Sequence, residues 1–270
     1  MANLRMLVAG AAGKMGRAVI REALSTPGVA IAGGFERAGH AAIGKDLGPL
    51  AGIDSLGVVV EETSDVLIRR ADALIDFTAP AASLENARLA AAAGLPHIIG
   101  TTGFSADEGA EIAALAERVP IVKSGNMSLG VNLLAALVRE AAARLGPEYD
   151  IEIVEAHHRA KIDAPSGTAL MLARAAAQGR GEKLEGNEIR TRDGAVGERE
   201  TGAIGFAVIR GGGIVGDHDV MFAGREEVLT LTHRAIDRGL FAKGAVAAAK
   251  WAVGKPPGLY SMNDVLGFSN

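Results

Sequence analysis

The chain has 270 residues, long for one compact domain and comfortable for two; 49% are apolar and 22% charged, a balance that supplies a packed core and argues against wholesale disorder. Lys and Arg number 28 against 32 Asp and Glu, a net charge of −4 that carries no bias toward nucleic acid or an anionic membrane, so any basic site must be local. There is no cysteine, hence no disulfide, thiolate zinc site or Cys nucleophile, and no apolar run approaches the roughly 18 residues of a spanning helix.

The start, MANLRMLVAGAAGK, mimics a signal peptide, but its apolar run is too short and reads better as a strand at residues 6–9. GAAGKMG follows, then a helical pattern over 14–24 stopped by Pro27. Residues 29–35 read as a second strand, 66–70 as a short helix and 73–77 as a strand ending in DFTAP. An Ala-rich helix is expected over 83–93 with Gly94 as its stop, then a strand and turn in PHIIGTTG, a helix over 106–118 and a strand in PIVKSGN. Repeated strand–helix–strand units predict a Rossmann-type parallel sheet with right-handed crossovers. Ligands of such sheets sit beyond the carboxyl ends of the strands, here residues 10–16, 35–37, 77–80, 100–103 and 124–127.

The first of these loops spaces its glycines as Gly10, Gly13 and Gly16, with Ala11 where the usual dinucleotide fingerprint has its first glycine. A strand precedes it, a helix follows, and Glu36 lies 20 residues beyond Gly16 at the end of the next strand. Backbone N–H groups in such a loop can reach a pyrophosphate at the helix N-terminus. Glu36 could accept hydrogen bonds from an adenosine ribose, whereas the adjacent Arg37 could pair with a 2′-phosphate. An ordinary strand–helix turn with a surface Glu-Arg pair is the plainer alternative.

The second half changes character. A long helix is expected over 129–145, a strand around Ile151, Ile153 and Val154, and a helix over 168–178. A polar, Gly-rich stretch (179–197) precedes three strand-like runs, 203–210, 217–222 and 227–233, which in succession predict an open mixed or antiparallel sheet. A helix over 240–253, a Pro-Pro loop and a short tail end the chain.

Between the strand and helix of this half runs EAHHRAKIDAPSGTA, residues 155–169. Pro165 forbids continuous helix, and Ser166 or Thr168 can cap the helix that follows. The N–H groups at 166–168 form an anion site, and His157, His158, Arg159 and Lys161 add donors and positive charge beside it. That set suits a small substrate with carboxylates, and His and Lys can handle protons. Adjacent histidines point opposite ways on a strand and no carboxylate sits at useful ligand spacing, so no metal site is expected. His218 and His233 stand alone in the sequence and read as structural.

Together, EAHHRAKIDAPSGTA, GAAGKMGR, DFTAP, GTTG and SGNMSLGVN resemble, in order and over essentially the whole chain, the 4-hydroxy-tetrahydrodipicolinate (dihydrodipicolinate) reductase family of lysine and diaminopimelate biosynthesis. The His-His-to-Ser-Gly-Thr run is highly specific; the glycine motif alone is not. The resemblance implies a cyclic imine dicarboxylate substrate that loses water and accepts hydride at ring C4 from NADH or NADPH, with no metal. It implies that His157 is a proton donor/acceptor, that Lys161 is the proton donor, and that His158, Gly167 and Thr168 contact the substrate carboxylates. Dinucleotide contacts are implied for Gly10, Ala11, Ala12, Gly13, Lys14, Met15, Glu36, Arg37, Gly100, Thr101, Thr102, Ser124, Gly125, Asn126 and Met127, with Arg238 and Phe241 near the adenosine end. Asp237 stands where the family more often has a small polar residue, and near a 2′-phosphate it would disfavour NADPH. The implied architecture is a dinucleotide-binding Rossmann domain of 1–128 plus 239–270 and a substrate-binding and tetramerisation domain of 129–238 on the open mixed sheet. The expected protein is a cytoplasmic homotetramer without nucleic-acid or membrane partners. Another NAD(P)-dependent dehydrogenase of a small carboxylate, or a non-catalytic NAD(H) sensor, would account for the Rossmann half but not for a cationic loop running into Pro-Ser-Gly-Thr.

Overall fold

The computed structural model describes residues 3–63 and 65–268, and residues 1–2 and 269–270 of the expected first domain lie outside them. The chain separates into two compact units, residues 1–129 with 239–270, and residues 130–238. In chain order the first unit holds β1 (Leu4–Ala9), α1 (Lys14–Ser25), β2 (Val29–Glu36), α2 (Leu47–Ala51), β3 (Val60–Glu62), α3 (Asp65–Ile68), β4 (Ala73–Asp76), α4 (Pro80–Ala93), β5 (His97–Ile99), α5 (Ala106–Ala116) and β6 (Pro120–Lys123). Then come α6 (Leu129–Leu145), β7 (Asp150–His157), α7 (Gly167–Gly179), β8 (Glu188–Ile189), β9 (Ile204–Arg210), β10 (Gly216–Ala223) and β11 (Val228–Ala235) of the second unit. The chain returns to the first unit with α8 (Gly239–Ala252), β12 (Gly258–Tyr260) and α9 (Met262–Val265).

The first unit is a seven-stranded sheet in the order β12-β6-β5-β4-β1-β2-β3, parallel at every pairing. Strand order reverses between β1 and β4, which opens a crevice above their carboxyl ends. Both faces are covered, so the central strands are largely apolar, whereas the edge strand β3 reads Val-Glu-Glu. Met6 and Val8 of β1 pack under α1 and α8 with Val19, Ile20, Ala245 and Val246. Leu7 and Ala9, one step out of phase, pack on the other face with Leu67, Ile68 and Ala90. α1 buries Gly16, Val19, Ile20 and Ala23, the i, i+3, i+4, i+7 stripe of a helix lying on a sheet. α4 opens on Pro80 and closes on Gly94 at φ 67°, a left-handed cap that glycine adopts without strain.

Two stretches depart from the sequence reading. The segment between β2 and β4 was expected to carry only a short helix near residue 66, yet it also holds α2 and β3. The carboxylate of Asp46 organises it, accepting from the N–H groups of Gly48, Leu56 and Gly57 and from the Ser55 hydroxyl. The expected loop and tail after Pro257 instead adds β12 as an edge strand against β6, followed by α9 with a Ser261–Asp264 capping box.

The second unit is a five-stranded mixed sheet in the order β11-β10-β7-β9-β8. β7 is antiparallel to β10 and parallel to β9. One face buries Ile151, Ile153, Val220, Phe222, Ile204 and Phe206 against α6 and α7, which supply Leu134, Val138, Leu172 and Ala176. The helices lie so close that a Cβ on Gly179 would stand 2.2 Å from the Arg139 carbonyl oxygen. β11 is an edge strand with Val228 and Leu229 exposed.

Candidate functional site

In the first unit the site is built from loops at the carboxyl ends of the parallel strands. Gly10 leaves β1 at φ +62°, the left-handed region, and a Cβ there would stand 3.0 Å from the Thr78 methyl. A Cβ on Gly16 would stand 2.2 Å from the Gly10 carbonyl oxygen, an obstacle that no rotamer can move. Gly13 is the N-cap of α1 and offers no side-chain cap. The first i to i−4 bond of this helix runs from Arg17 N–H to the Gly13 carbonyl at 3.0 Å, so the N–H groups of Lys14, Met15 and Gly16 form the open first turn. Ala11 N–H donates to Phe35 O and Gly13 N–H to Gly10 O. Ala12 N–H donates to Glu36 Oε1 at 3.0 Å, tying the end of β2 to the glycine loop.

A cavity of about 310 Å³ lies beside this loop, lined among others by Gly10, Glu36, Arg37, Thr78 and Asn86. The neighbouring loops are held by Asp76, fully buried at the end of β4. Its Oδ1 accepts from Thr78 N–H at 2.8 Å and from the Thr78 and Thr101 hydroxyls at 2.6 and 3.5 Å. Its Oδ2 accepts from Asn86 Nδ2 at 2.9 Å and lies 3.4 Å from Nε2 of the equally buried His97. Burial pushes this carboxyl up, but the neighbouring His97 and the hydrogen bonds from Thr78 and Asn86 outweigh burial and bring the pKa down to about 2.

Gly100 is required by packing, since a Cβ would stand 2.1 Å from the Phe77 ring. Thr101 is buried and Thr102 exposed. The Ser124 hydroxyl accepts from Asn126 N–H and donates to the Asn126 carbonyl, while Asn126 Oδ1 accepts from Ser128 N–H. Gly125 has open space where a Cβ would project. The side chains of Ala11 and Met127 lie in the core, so these two residues can offer a ligand only their backbone. Phe241 packs against the same core.

In the second unit His157, His158, Lys161, Gly167 and Thr168 all fall between the end of β7 and the first turn of α7. The period of two along β7 puts Glu155 and His157 on the inward face that begins with Ile151 and Ile153. His157 Nδ1 is 2.6 Å from Glu155 Oε2. Glu155, fully buried, also accepts from both terminal guanidinium nitrogens of Arg210 at 2.8 Å and from Ser166 N–H at 3.0 Å. Burial pushes the Glu155 carboxyl up, but the hydrogen bonds from Arg210, His157 and Ser166 prevail and hold it below the usual carboxylate range. Ser166 rather than Thr168 is the N-cap of α7, its hydroxyl accepting from Ala169 N–H. Lys161 Nζ sits 2.8 Å from both oxygens of Asp163. Arg238 donates to His158 Nε2 at 3.0 Å, a partner within its own unit that the sequence reading had not given it.

His218 does not stand alone. It lies opposite Glu155 in the β7–β10 register, 3.0 Å through Nε2 from the Ser166 hydroxyl and edge-on to His157 at 5.1 Å. Burial and the neighbouring His157 lower its pKa to about 4, so it is neutral near pH 7. Glu155, Arg210 and His218 were missed as site residues. The signal for Glu155 was present: a carboxylate two residues before a strand histidine shares its face, and on an apolar face it needs a cation. Arg210 and His218 come from β9 and β10, far along the chain, and had no local signal. Among the described residues no group of three or more His, Cys, Asp or Glu is placed to hold a metal ion.

The open first turn of α1, the Cβ-free approach at Gly10 and the adjoining cavity fit a dinucleotide, with the glycine loop against its diphosphate. Known proteins point the same way. Residues 4–127 match the family described as "Dihydrodipicolinate reductase, N-terminus", and residues 130–266 match "Dihydrodipicolinate reductase, C-terminus". The chain is 55% identical over 268 residues to 4-hydroxy-tetrahydrodipicolinate reductase 1 of Mesorhizobium japonicum, covering 99% of this chain and 98% of that protein. It is 56% identical over 267 residues to the 4-hydroxy-tetrahydrodipicolinate reductase of Beijerinckia indica, with the same coverages. Among solved structures, a dipicolinate-bound dihydrodipicolinate reductase from Paenisporosarcina sp. TG-14 superposes with a TM-score of 0.77 at 28% identity, covering 96% of this chain and 97% of that one.

Proposed function

The chain belongs to the dihydrodipicolinate reductase family, and from that premise we propose that it reduces 4-hydroxy-tetrahydrodipicolinate, with loss of water, to tetrahydrodipicolinate in lysine and diaminopimelate biosynthesis. The observation that carries the reading is the cluster at the end of β7, where a paired histidine, a paired lysine and a capped helix N-terminus meet on one short stretch. When bound, the reduced nicotinamide of NADH or NADPH supplies the hydride to ring C4. Gly10, Ala11, Ala12, Gly13, Lys14 and Met15 would hold the diphosphate end of that cofactor, with Glu36 and Arg37 at the ribose. Backbone and side-chain groups of Gly100, Thr101, Thr102, Ser124, Gly125, Asn126 and Met127 would line the rest of its path.

The protein's own work is positioning and proton handling. A dicarboxylate substrate is anchored by His158 and by the N–H groups of Gly167 and Thr168 at the positive end of α7. His157 donates and accepts a proton through Nε2, since Nδ1 is engaged by Glu155. Lys161, held by Asp163, donates the proton that completes the reduced product. The first unit then acts as the dinucleotide-binding domain and the second as the domain for substrate and tetramer assembly. Val208, Ile209, Val228 and Leu229 are exposed on the second unit, and β11 is an open edge; a homotetramer would cover them. No helix among the described residues is long and apolar enough to cross a membrane, and a cytoplasmic enzyme fits the cysteine-free sequence. The mass of the purified protein in solution tests the tetramer.

The activity is tested by coupling the protein to the preceding synthase, which condenses pyruvate with aspartate semialdehyde. Oxidation of NADH or NADPH that depends on the synthase is the expected result; none with either nucleotide, from folded protein that binds them, would overturn the reading. The same assay measures cofactor choice. Glu36 and Arg37 both line the cavity, one suited to a ribose hydroxyl and the other to a 2′-phosphate. The ratio of kcat/KM for the two nucleotides is therefore expected to stay below about a hundredfold, or nearly 3 kcal/mol. A larger preference would show that one of the pair is silent.

A further inference from the structure

We propose that Glu155 is a positioning residue that fixes the tautomer of His157, keeping the proton on Nδ1 and leaving Nε2 as the atom that exchanges a proton with substrate. This rests on the reading of His157 as a proton donor/acceptor. The Glu155 carboxylate is fully buried and its two oxygens take four donors: Oε1 from Arg210 Nη2 and Ser166 N–H, Oε2 from Arg210 Nη1 and His157 Nδ1. An ionised carboxylate can only accept. The 2.6 Å contact with His157 therefore requires the proton on Nδ1, and a neutral ring then carries its lone pair on Nε2. The held-down pKa of Glu155 supports its ionised state at neutral pH. Gly216 leaves room beside that nitrogen, since a Cβ there would stand 3.1 Å from Nε2. Arg210 also donates to the Asp163 carbonyl, so one guanidinium braces both the carboxylate and the loop carrying Lys161.

Glu155→Gln separates positioning from mere support. The Oε1 position faces Arg210 and the fixed Ser166 N–H, so the amide oxygen belongs there. The amide NH₂ then takes the Oε2 position, where it faces His157 Nδ1 and deprives Arg210 Nη1 of its acceptor; the reverse orientation would cost two acceptors, those of Arg210 Nη2 and Ser166 N–H. His157 answers by moving its proton to Nε2, so that Nδ1 accepts from the amide.

The experiment is ¹⁵N NMR of the imidazole nitrogens in wild-type protein and in Glu155→Gln, with kcat and KM measured on both. Wild type is expected to show His157 protonated at Nδ1, and the variant at Nε2, with kcat lowered about tenfold or more and KM for NADH unchanged. A neutral wild-type His157 carrying its proton on Nε2 rather than Nδ1 would overturn the proposal without any variant having to fold. So would a variant that keeps the Nδ1 proton. A tautomer that switches with kcat unchanged would overturn the catalytic role of Glu155 and would also remove His157 from the proposed mechanism, an outcome distinct from the other two.

Discussion

Lys161→Ala is expected to lower kcat by about 10²- to 10⁴-fold, the range of a positioned proton donor, while the affinity for NADH stays within about twofold. The lysine lies on the second unit, and the groups proposed to hold the nucleotide lie on the first. Its ammonium touches both oxygens of Asp163 at 2.8 Å, and its side chain is only 19% exposed. The hydrogen bond from Lys161 holds the Asp163 carboxyl below its ordinary range. Asp163 therefore stays ionised at neutral pH, and the pair keeps Nζ in one place rather than swinging in solvent. Lys161→Arg discriminates between two roles. A guanidinium retains the charge and could still attract a carboxylate, but it does not release a proton near neutral pH. If Lys161 donates the proton, the arginine variant is as slow as the alanine variant; if it only anchors the substrate, arginine restores much of kcat. Near-normal turnover in Lys161→Ala, measured in the coupled assay, would take the residue out of the mechanism altogether.

What could be read from the sequence divides along the range of the forces involved. In the first unit β1, β2, β4, β5 and β6 were legible as apolar runs, most of them followed within two residues by glycine or threonine, and α1 because its buried positions repeat with helical period. α6 was legible to the residue, since a long apolar stripe and a strong helix-forming composition act together. α2 and β3 were not, because five and three residues are too few to show a period, and their segment is organised by one carboxylate, that of Asp46, gathering donors up to 11 positions away. β12 has no signal of its own; it is a strand because β6 offers an edge. The capping box of α9 is visible in the sequence as Ser-x-x-Asp, but four residues are too few to show a helical period beside it. The site follows the same rule. His157, Lys161 and Ser166 share one local stretch and were found together. Arg210 and His218 reach it only through the pairing of β9 and β10 with β7, which a local pattern does not contain.

Asp76→Ala should produce the largest loss of stability in the first unit, about 3–5 kcal/mol, the cost of removing one member of a buried, hydrogen-bonded charged group. The carboxylate is fully buried and satisfies Thr78, Thr101 and Asn86 while facing His97. Alanine leaves Asn86 Nδ2 and the Thr78 N–H without their acceptor in a space that water does not readily refill. Thr78 borders the cavity beside the glycine loop, and Thr101 belongs to the proposed nucleotide-binding loop after β5, so the cavity wall and that loop lose the same anchor. Nucleotide affinity should therefore fall along with stability, unlike in Lys161→Ala. The pH dependence supplies an independent check. The folded pKa of Asp76, about 2, lies below its ordinary value of 3.8, so the stability it contributes is complete above the unfolded value and is lost as pH falls through the folded one. Urea unfolding of wild type should weaken across that acid window, and Asp76→Ala should lack that part of the slope. An unfolding midpoint for Asp76→Ala equal to that of wild type would mean the loops are held by their own backbone contacts. A lower midpoint with unchanged nucleotide affinity would mean that Asp76 supports the sheet but not the site above it.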